Sequence, residues 1–439
     1  MTDRTPRTRV GGDIAGLRWT YWTCHFLRWL PLGLALPVLA LLPLDRGLGL
    51  GQIGVLFGVY NATSALLELP TGTLADVLGN RPVLIIAALL ETAFYLGFAL
   101  APTMVALTVA MILGGIGRAL ASGALEAWYV DRVYAREPAA DVRPAIGGAM
   151  FLTNVAVLIG SGAAVGVSLL PKGQLPVDLP TSALPVVLAV LCGLLQIVAL
   201  LALVRGGEGS KSARAGLAEL RSVPGVIRES VTFSVQRGNL RLILITGLAV
   251  GVGIGAVEAF WQPALADLLA DPSATTTMAG LLVAGSTLVG AIGSLIAARL
   301  PAAAARRARI VCGALFTLLA AAIVALAVAP TFAVAATAFL FVYLFLELRA
   351  PLNQTLLHRA SPAGRRASVL SAYSMSTSAG AVIASFGFGA IVDSVGVATV
   401  WLCAAAVVAL ASVAYLRLTP TSRVPDARGT TVAESALPH

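Results

Sequence analysis

The chain has 439 residues, of which 58% are hydrophobic and only 12% charged. A soluble domain carries roughly 25% charged residues, so this balance excludes a soluble globule or a disordered chain and makes a lipid bilayer the natural solvent. The net charge of +9 could suit nucleic acid or an anionic membrane, but its placement between apolar runs favours the membrane and leaves no nucleic-acid partner.

A spanning helix needs ~20 apolar residues. Twelve apolar segments fit, at 20–43, 52–74, 82–101, 106–130, 146–169, 182–204, 240–264, 277–299, 308–329, 331–349, 368–391 and 395–416. They predict a cytoplasmic N-tail over 1–19, a six-helix bundle over 20–204, an amphipathic linker over 205–239, a second bundle over 240–417 and a C-tail over 418–439. The basic N-tail precedes no short apolar stretch with a cleavage site, so the first span is expected to be retained. Loops after odd-numbered spans hold only Arg46 and Lys172, while Arg28 and Arg118 lie inside spans. The other basic residues fall in the two tails and the even-numbered loops, which places both termini in the cytoplasm. With 28 Arg against two Lys, the composition points to a bacterial plasma membrane.

In chain order, span one carries Arg28, and span two carries Asn61, Ser64 and Glu68 on one helical face. Arg28 and Glu68 sit at similar depth and could pair. After span two comes Gly72-Thr-Leu-Ala-Asp76-Val-Leu-Gly79-Asn-Arg81. There Gly72 allows close helix approach, Asp76 sits at a helix end, Gly79 permits a tight turn and Arg81 starts the next helix. Glu91 stands isolated in span three. In span four, Arg118, Ser122 and Glu126 follow the i, i+4, i+8 spacing of one face. An intramembrane charge costs roughly 2.5–3.5 kcal/mol on insertion scales and so faces a cavity or a partner. Glu126 is either a proton carrier tuned by Arg118 or half of a fixed ion pair.

Span seven repeats Gly247, Gly251, Gly255 and Ala259 every four residues, a packing stripe. Glu258, Trp261 and Gln262 lie elsewhere on that helix. Glu258 is a cation or proton site, or else a water-exposed acid near the outer mouth; Glu347, by contrast, has Arg349 beside it. Trp128, Trp261 and Tyr343 either line a pocket for flat amphiphiles or anchor the chain at the membrane interfaces. Cys24, Cys192, Cys312 and Cys403 sit in apolar runs without metal-ligand spacing, and the three histidines are scattered, so no metal site and no disulfide is expected. Gly251-Val-Gly-Ile-Gly255 lies within a span with no preceding strand, and Gly209-Ser-Lys211-Ser lacks the P-loop glycine. No cofactor, nucleotide site or catalytic residue is expected.

The loop over 72–81 resembles the major facilitator superfamily signature G-x-L-A-D-x-x-G-x-R/K between its second and third helices. The resemblance, together with the six-plus-six layout, covers nearly the whole chain. It implies an all-α membrane protein of twelve transmembrane helices in two pseudo-symmetric six-helix bundles. It further implies that Gly72, Asp76, Gly79, Arg81 and Asp131 form a charge-relay gate, with Arg81 pairing an acid at the end of helix four, here Asp131. The second-half counterpart, Gly293-Ser-Leu-Ile-Ala297, has Ala where Asp would stand, which implies an asymmetric gate. Arg118 partly matches the family's arginine of helix four, implicated in proton transfer. The stretches around Arg28 and Glu68 resemble bacterial drug-efflux-like members. Span five keeps Gly160, Gly162 and Gly166 but lacks the central proline of the antiporter signature.

The resulting expectation is a monomeric, non-enzymatic secondary transporter that exchanges protons for a small amphipathic compound, as in multidrug resistance. Arg118, Glu126 and Glu258 are the proton-coupling candidates. Arg28, Asn61, Glu68, Trp128, Trp261, Gln262 and Tyr343 are the cavity candidates. A metabolite symporter or uniporter of the same fold is the alternative, and a receptor or scaffold a third.

Overall fold

A computed structural model describes residues 8–169, 180–206, 225, 228–229, 231–271, 274–301, 307–362 and 365–419. The side chains of 8–13, 69–73, 76, 181, 298 and 367 lie outside that description. So do most of the linker expected at 205–239 and nearly all of both tails.

The described chain is helical. The first half contains α1 (Thr8–Ala35), the short α2 (Leu41–Asp45), α3 (Leu50–Leu78), α4 (Asn80–Leu100), α5 (Met104–Ala121), α6 (Ala124–Tyr134), α7 (Arg143–Ser168) and α8 (Leu184–Leu203). The second half contains α9 (Gly238–Ala266), α10 (Thr275–Ala298), α11 (Ala308–Ala327), α12 (Phe332–Ala360), α13 (Arg366–Gly389) and α14 (Val392–Leu416). With α5 and α6 taken as one crossing, there are twelve helical passes, and α1 starts on the same side as α14 ends. We call that side the terminal side and the opposite one the far side. Eleven of the passes are long and apolar enough to span a membrane. The exception is α1, which carries Arg18, His25 and Arg28 yet packs on α7 and α8.

Packing inside the two halves repeats. In the first, α1 packs on α7 and α8, α5 on α3 and α4, and α4 on α8. In the second, α9 packs on α13 and α14, α12 on α10 and α11, and α11 on α14. These are the same five pairings shifted by six passes, the signature of an internal repeat. The halves meet along two seams, α3 on α13 and α7 on α10.

Three expected spans differ in detail. Span one was placed at 20–43, but its helix starts at Thr8 and ends at Ala35. Pro37 and Pro43 follow in a 3-10 turn (Leu36–Val38) and α2, since proline cannot donate to a continuing helix. Span ten runs on to Ala360. Span four breaks: Ser122 is extended and Gly123 adopts φ +72°, a conformation glycine tolerates without strain.

The second bundle buries a cation among phenols. Arg349, 4% exposed, donates to the Tyr415 hydroxyl at 2.9 Å and the Tyr373 hydroxyl at 3.4 Å, and lies 5.2 Å from the Phe316 ring centroid. Tyr415 donates onward to Asn353 Oδ1 at 2.7 Å. Aromatic faces and phenol oxygens stabilise a guanidinium that no carboxylate pairs among the described residues.

Candidate substrate cavity and gates

On the far side the halves are closed against each other. The first seam is built on glycine: a Cβ added to Gly54 of α3 would fall 2.6 Å from Gly389 Cα of α13. Such contact is open only to residues without a side chain. The Asp393 carboxylate, from α14, accepts from Gly51 N at 3.2 Å and so caps the first turn of α3 across the seam. In the second seam Ser168 and Thr277 share a hydrogen bond of 2.8 Å.

Between the seams, Gln262 of α9 grips the backbone where α1 ends. Its Oε1 accepts from Ala40 N at 2.7 Å and Leu41 N at 3.3 Å, and its Nε2 donates to Leu36 O at 2.5 Å. The side chain is 3% exposed. Loose backbone groups at a helix end need such partners.

Toward the terminal side both seams part. Between α3 and α13 a cavity of about 620 Å³ is lined by Leu66 and Glu68 on one wall and Leu370, Ser374 and Ser378 on the other. Between α7 and α10 a crevice of about 790 Å³ is lined by Phe151 and Asn154 on one wall and Ser286, Thr287 and Ser294 on the other. Both seams are thus wedges, shut at the far end and open at the terminal end.

A central cavity of about 460 Å³ lies between the bundles. Tyr60, Asn61 and Arg118 line it from the first half, Glu258 and Thr377 from the second. The Arg118 guanidinium carbon stands 5.9 Å from the Tyr60 ring centroid. Across the cavity, Glu258 accepts from the Tyr343 hydroxyl at 2.8 Å. A guanidinium from one half and a carboxylate from the other therefore share one chamber. The volume suits a small organic molecule.

Not all candidate residues converge there. Arg28 does not pair with Glu68: its Nη2 lies 3.5 Å from Glu91 Oε1, and the two line a small recess with Tyr60, Tyr95 and Arg118. Glu68 faces the α3–α13 wedge instead. The break at Ser122–Gly123 ends the single face expected for Arg118 and Glu126. Glu126 starts α6 beyond it and is exposed, while Arg118 faces the cavity. Trp128 is 2% exposed within the first bundle's own core. The Trp261 and Phe339 ring centroids lie 4.7 Å apart, tilted, beside the crevice. Gln262 makes the far-side clamp described above.

At the expected gate, Gly79 has φ +89° and links α3 to α4 without a spacer. Arg81 donates to Leu201 O at 3.1 Å, and no ion pair joins it to the exposed Asp131 among the described residues. The side chains of Gly72 and Asp76 lie outside the described residues. Glu347 was expected to be balanced by Arg349, but two residues apart on one helix they face different ways: Arg349 into the bundle, Glu347 to Ser294 Oγ at 3.3 Å in the crevice. Sequence reading missed the pairing of Glu91 with Arg28 and the placing of Glu347. The signal for the first was two opposite charges in neighbouring apolar spans.

Comparison with known proteins gives one consistent answer. The structure is similar to a nucleoside transporter, NupG, with a TM-score of 0.74 at 12% identity, covering 92% of this chain and 98% of that one. It is likewise similar to a POT family transporter in complex with 5-aminolevulinic acid, with a TM-score of 0.67 at 13% identity, covering 93% and 96%. At such identity the likeness shows the fold. No curated protein matches the sequence. The sequence profile of the Major Facilitator Superfamily matches residues 21–268 and 255–438. With that match spanning the chain, and with twelve passes folded as a repeated pair of bundles around one cavity, the protein is a transporter, not an enzyme, and belongs to the major facilitator superfamily.

Proposed function

We propose that this protein is a proton-coupled exporter of a small amphipathic compound, working as a monomer by alternating access. The excess of basic residues at the tails and even-numbered loops supports cytoplasmic termini in a bacterial plasma membrane. On that orientation the described state faces inward.

The observation that carries the reading is the shared chamber of Arg118 and Glu258, one on each half. While Glu258 is ionised, its charge attracts Arg118 across the cavity. A proton on Glu258 removes that attraction and keeps the hydrogen bond with Tyr343. Because the interaction differs between the two arrangements of the halves, protonation shifts their populations. The groups facing Glu258 are Arg118 across the cavity and Tyr343 beside it, with Glu347 further along the crevice. Glu126, the other carboxylate candidate, sits beyond the helix break. We further propose that Asp76, Arg81 and Asp131, with Gly72 and Gly79, form the terminal-side latch of the opposite state, parted here where Arg81 and Asp131 make no pair.

The test is flux in proteoliposomes under an imposed pH step, against a panel of drugs, metabolites and dyes. Export driven by the proton gradient is expected. Glu258→Gln should abolish the proton dependence while leaving exchange, and Glu126→Gln should keep the coupling. Unchanged coupling in Glu258→Gln would remove that residue from the mechanism. Flux indifferent to pH in the native protein would favour a uniporter.

A further inference from the structure

The α7–α10 crevice carries features the central cavity does not explain. Its lining residues include two carboxylates, Glu258 and Glu347, and no Lys, Arg or His. Each carboxylate has one described hydrogen-bond donor, Tyr343 at 2.8 Å and Ser294 at 3.3 Å respectively. A carboxylate offers about four lone-pair sites, so both keep acceptor capacity directed at the open volume. Glu258 has Arg118 across the central cavity, but no cation lines the crevice beside Glu347, and a positive ligand offsets the cost of such a charge at membrane depth.

The second feature is aromatic. Trp261 and Phe339 have ring centroids 4.7 Å apart, and Phe339 and Tyr343 5.0 Å apart. Trp261 and Phe339 are buried, 5% and 1% exposed, and back the half-buried Tyr343, while Phe151 flanks the opening from the other half. Ring faces attract organic cations while their area binds apolar groups. A bare metal ion uses neither the aromatic rings nor the volume of about 790 Å³, and groups of three or more metal-ligating side chains are absent among the described residues. An anion meets two like charges.

The third feature is access. Phe151 is 67% exposed and Leu295 50% exposed at the rim. The crevice is therefore bordered by apolar side chains on the outer surface of the bundle, where lipid chains lie.

We propose that the α7–α10 crevice is a binding site for lipophilic aromatic cations, with Glu347 as its charge determinant and Tyr343 and Phe151 as its aromatic contacts. The site extends the transport reading by naming the chemical class of cargo, but its existence does not depend on coupling or direction. Glu258 borders both the crevice and the central cavity, so a cation seated on Glu347 lies one carboxylate away from the chamber that Arg118 faces.

The test is equilibrium binding, without any gradient, to the full-length protein in lipid nanodiscs, with empty nanodiscs subtracted. Tetraphenylphosphonium is compared with tetraphenylborate, which has the same shape and the opposite charge. Saturable binding of the cation is expected, tighter than the anion by about ten-fold or more, the scale of one added partly buried charge contact. Glu347→Gln should weaken cation binding by about ten-fold and narrow the cation-to-anion ratio, and Glu347→Asp should restore most of it. Arg118→Ala should retain cation binding even where flux is lost, which separates this proposal from the transport mechanism. Equal binding of the two ions, no saturable cation binding, or an unchanged ratio in folded Glu347→Gln would each overturn the site. If Glu347→Gln fails to elute as a folded species, the native cation-to-anion ratio and the Glu347→Asp variant decide.

Discussion

The Arg28 guanidinium on α1 stands 3.5 Å from the Glu91 carboxylate on α4, and each side chain is 16% exposed. The pair borders a recess that also holds Arg118, so it fixes charge close to the central chamber without entering it. Removing one partner leaves the other buried and uncompensated. Glu91→Gln is expected to destabilise the protein by about 3 kcal/mol, while a double change to Arg28→Met and Glu91→Leu should recover most of that loss. Denaturant unfolding of the purified variants checks this. A double variant as unstable as the single one would show that the pair is not what holds these helices.

Gln262 bridges the halves through three backbone contacts at the end of α1. Each such hydrogen bond contributes ~1 kcal/mol, so Gln262→Leu should favour far-side opening by roughly 2 kcal/mol, about a 30-fold population shift. A cysteine placed at Ser168, beside Thr277 in the closed seam, reports the change through its labelling rate with a membrane-impermeant maleimide. Equal labelling in the presence and absence of Gln262 would rule out the clamp.

Gly54 and Gly389 touch backbone to backbone, and a side chain at Gly54 would begin 2.6 Å from Gly389 Cα. The contact joins the halves and lies outside either bundle's core. Gly54→Val should therefore leave the protein folded but unable to shut its far side. Turnover is expected to fall by about ten-fold or more with little loss of monodisperse protein, since overpacking costs ~1–3 kcal/mol. Normal flux from this variant would mean that the seam tolerates separation throughout the cycle.

For the terminal-side latch, Asp76→Asn and Arg81→Gln should each slow turnover while leaving cargo binding in the described state intact. The reason is that Arg81 donates to the Leu201 carbonyl here and pairs with no carboxylate among the described residues, so its proposed carboxylate partners matter in the opposite state. Comparing flux with equilibrium binding separates the two effects. A parallel loss of both would indicate a structural defect.

The twelve crossings were legible because apolar runs of spanning length are long, repetitive signals. The turn at Gly79 was legible because a glycine at a helix junction has one common use. The rotation of each helix about its own axis was not. Glu91 looked isolated because its partner is 63 residues away on a packed neighbour. Glu347 looked balanced because its neighbour in sequence carries the opposite charge, yet two residues on a helix point to different faces. The break in span four hid in Ala-Ser-Gly-Ala, where a small apolar run gives no hint that Gly123 leaves helical geometry. That break moved Glu126 away from the face of Arg118 and shifted the weight of the proton-coupling proposal to Glu258.

The glycine seam has a kinetic corollary. A seal of interlocked large side chains must search rotamers and expel trapped solvent each time it forms. Where Gly54 meets Gly389 there are no rotamers to search, and parting the strip exposes a narrow ribbon of peptide groups that water wets immediately. The barrier on that side then tracks backbone hydration, and its rate should respond weakly to temperature compared with a gate built on bulky side chains.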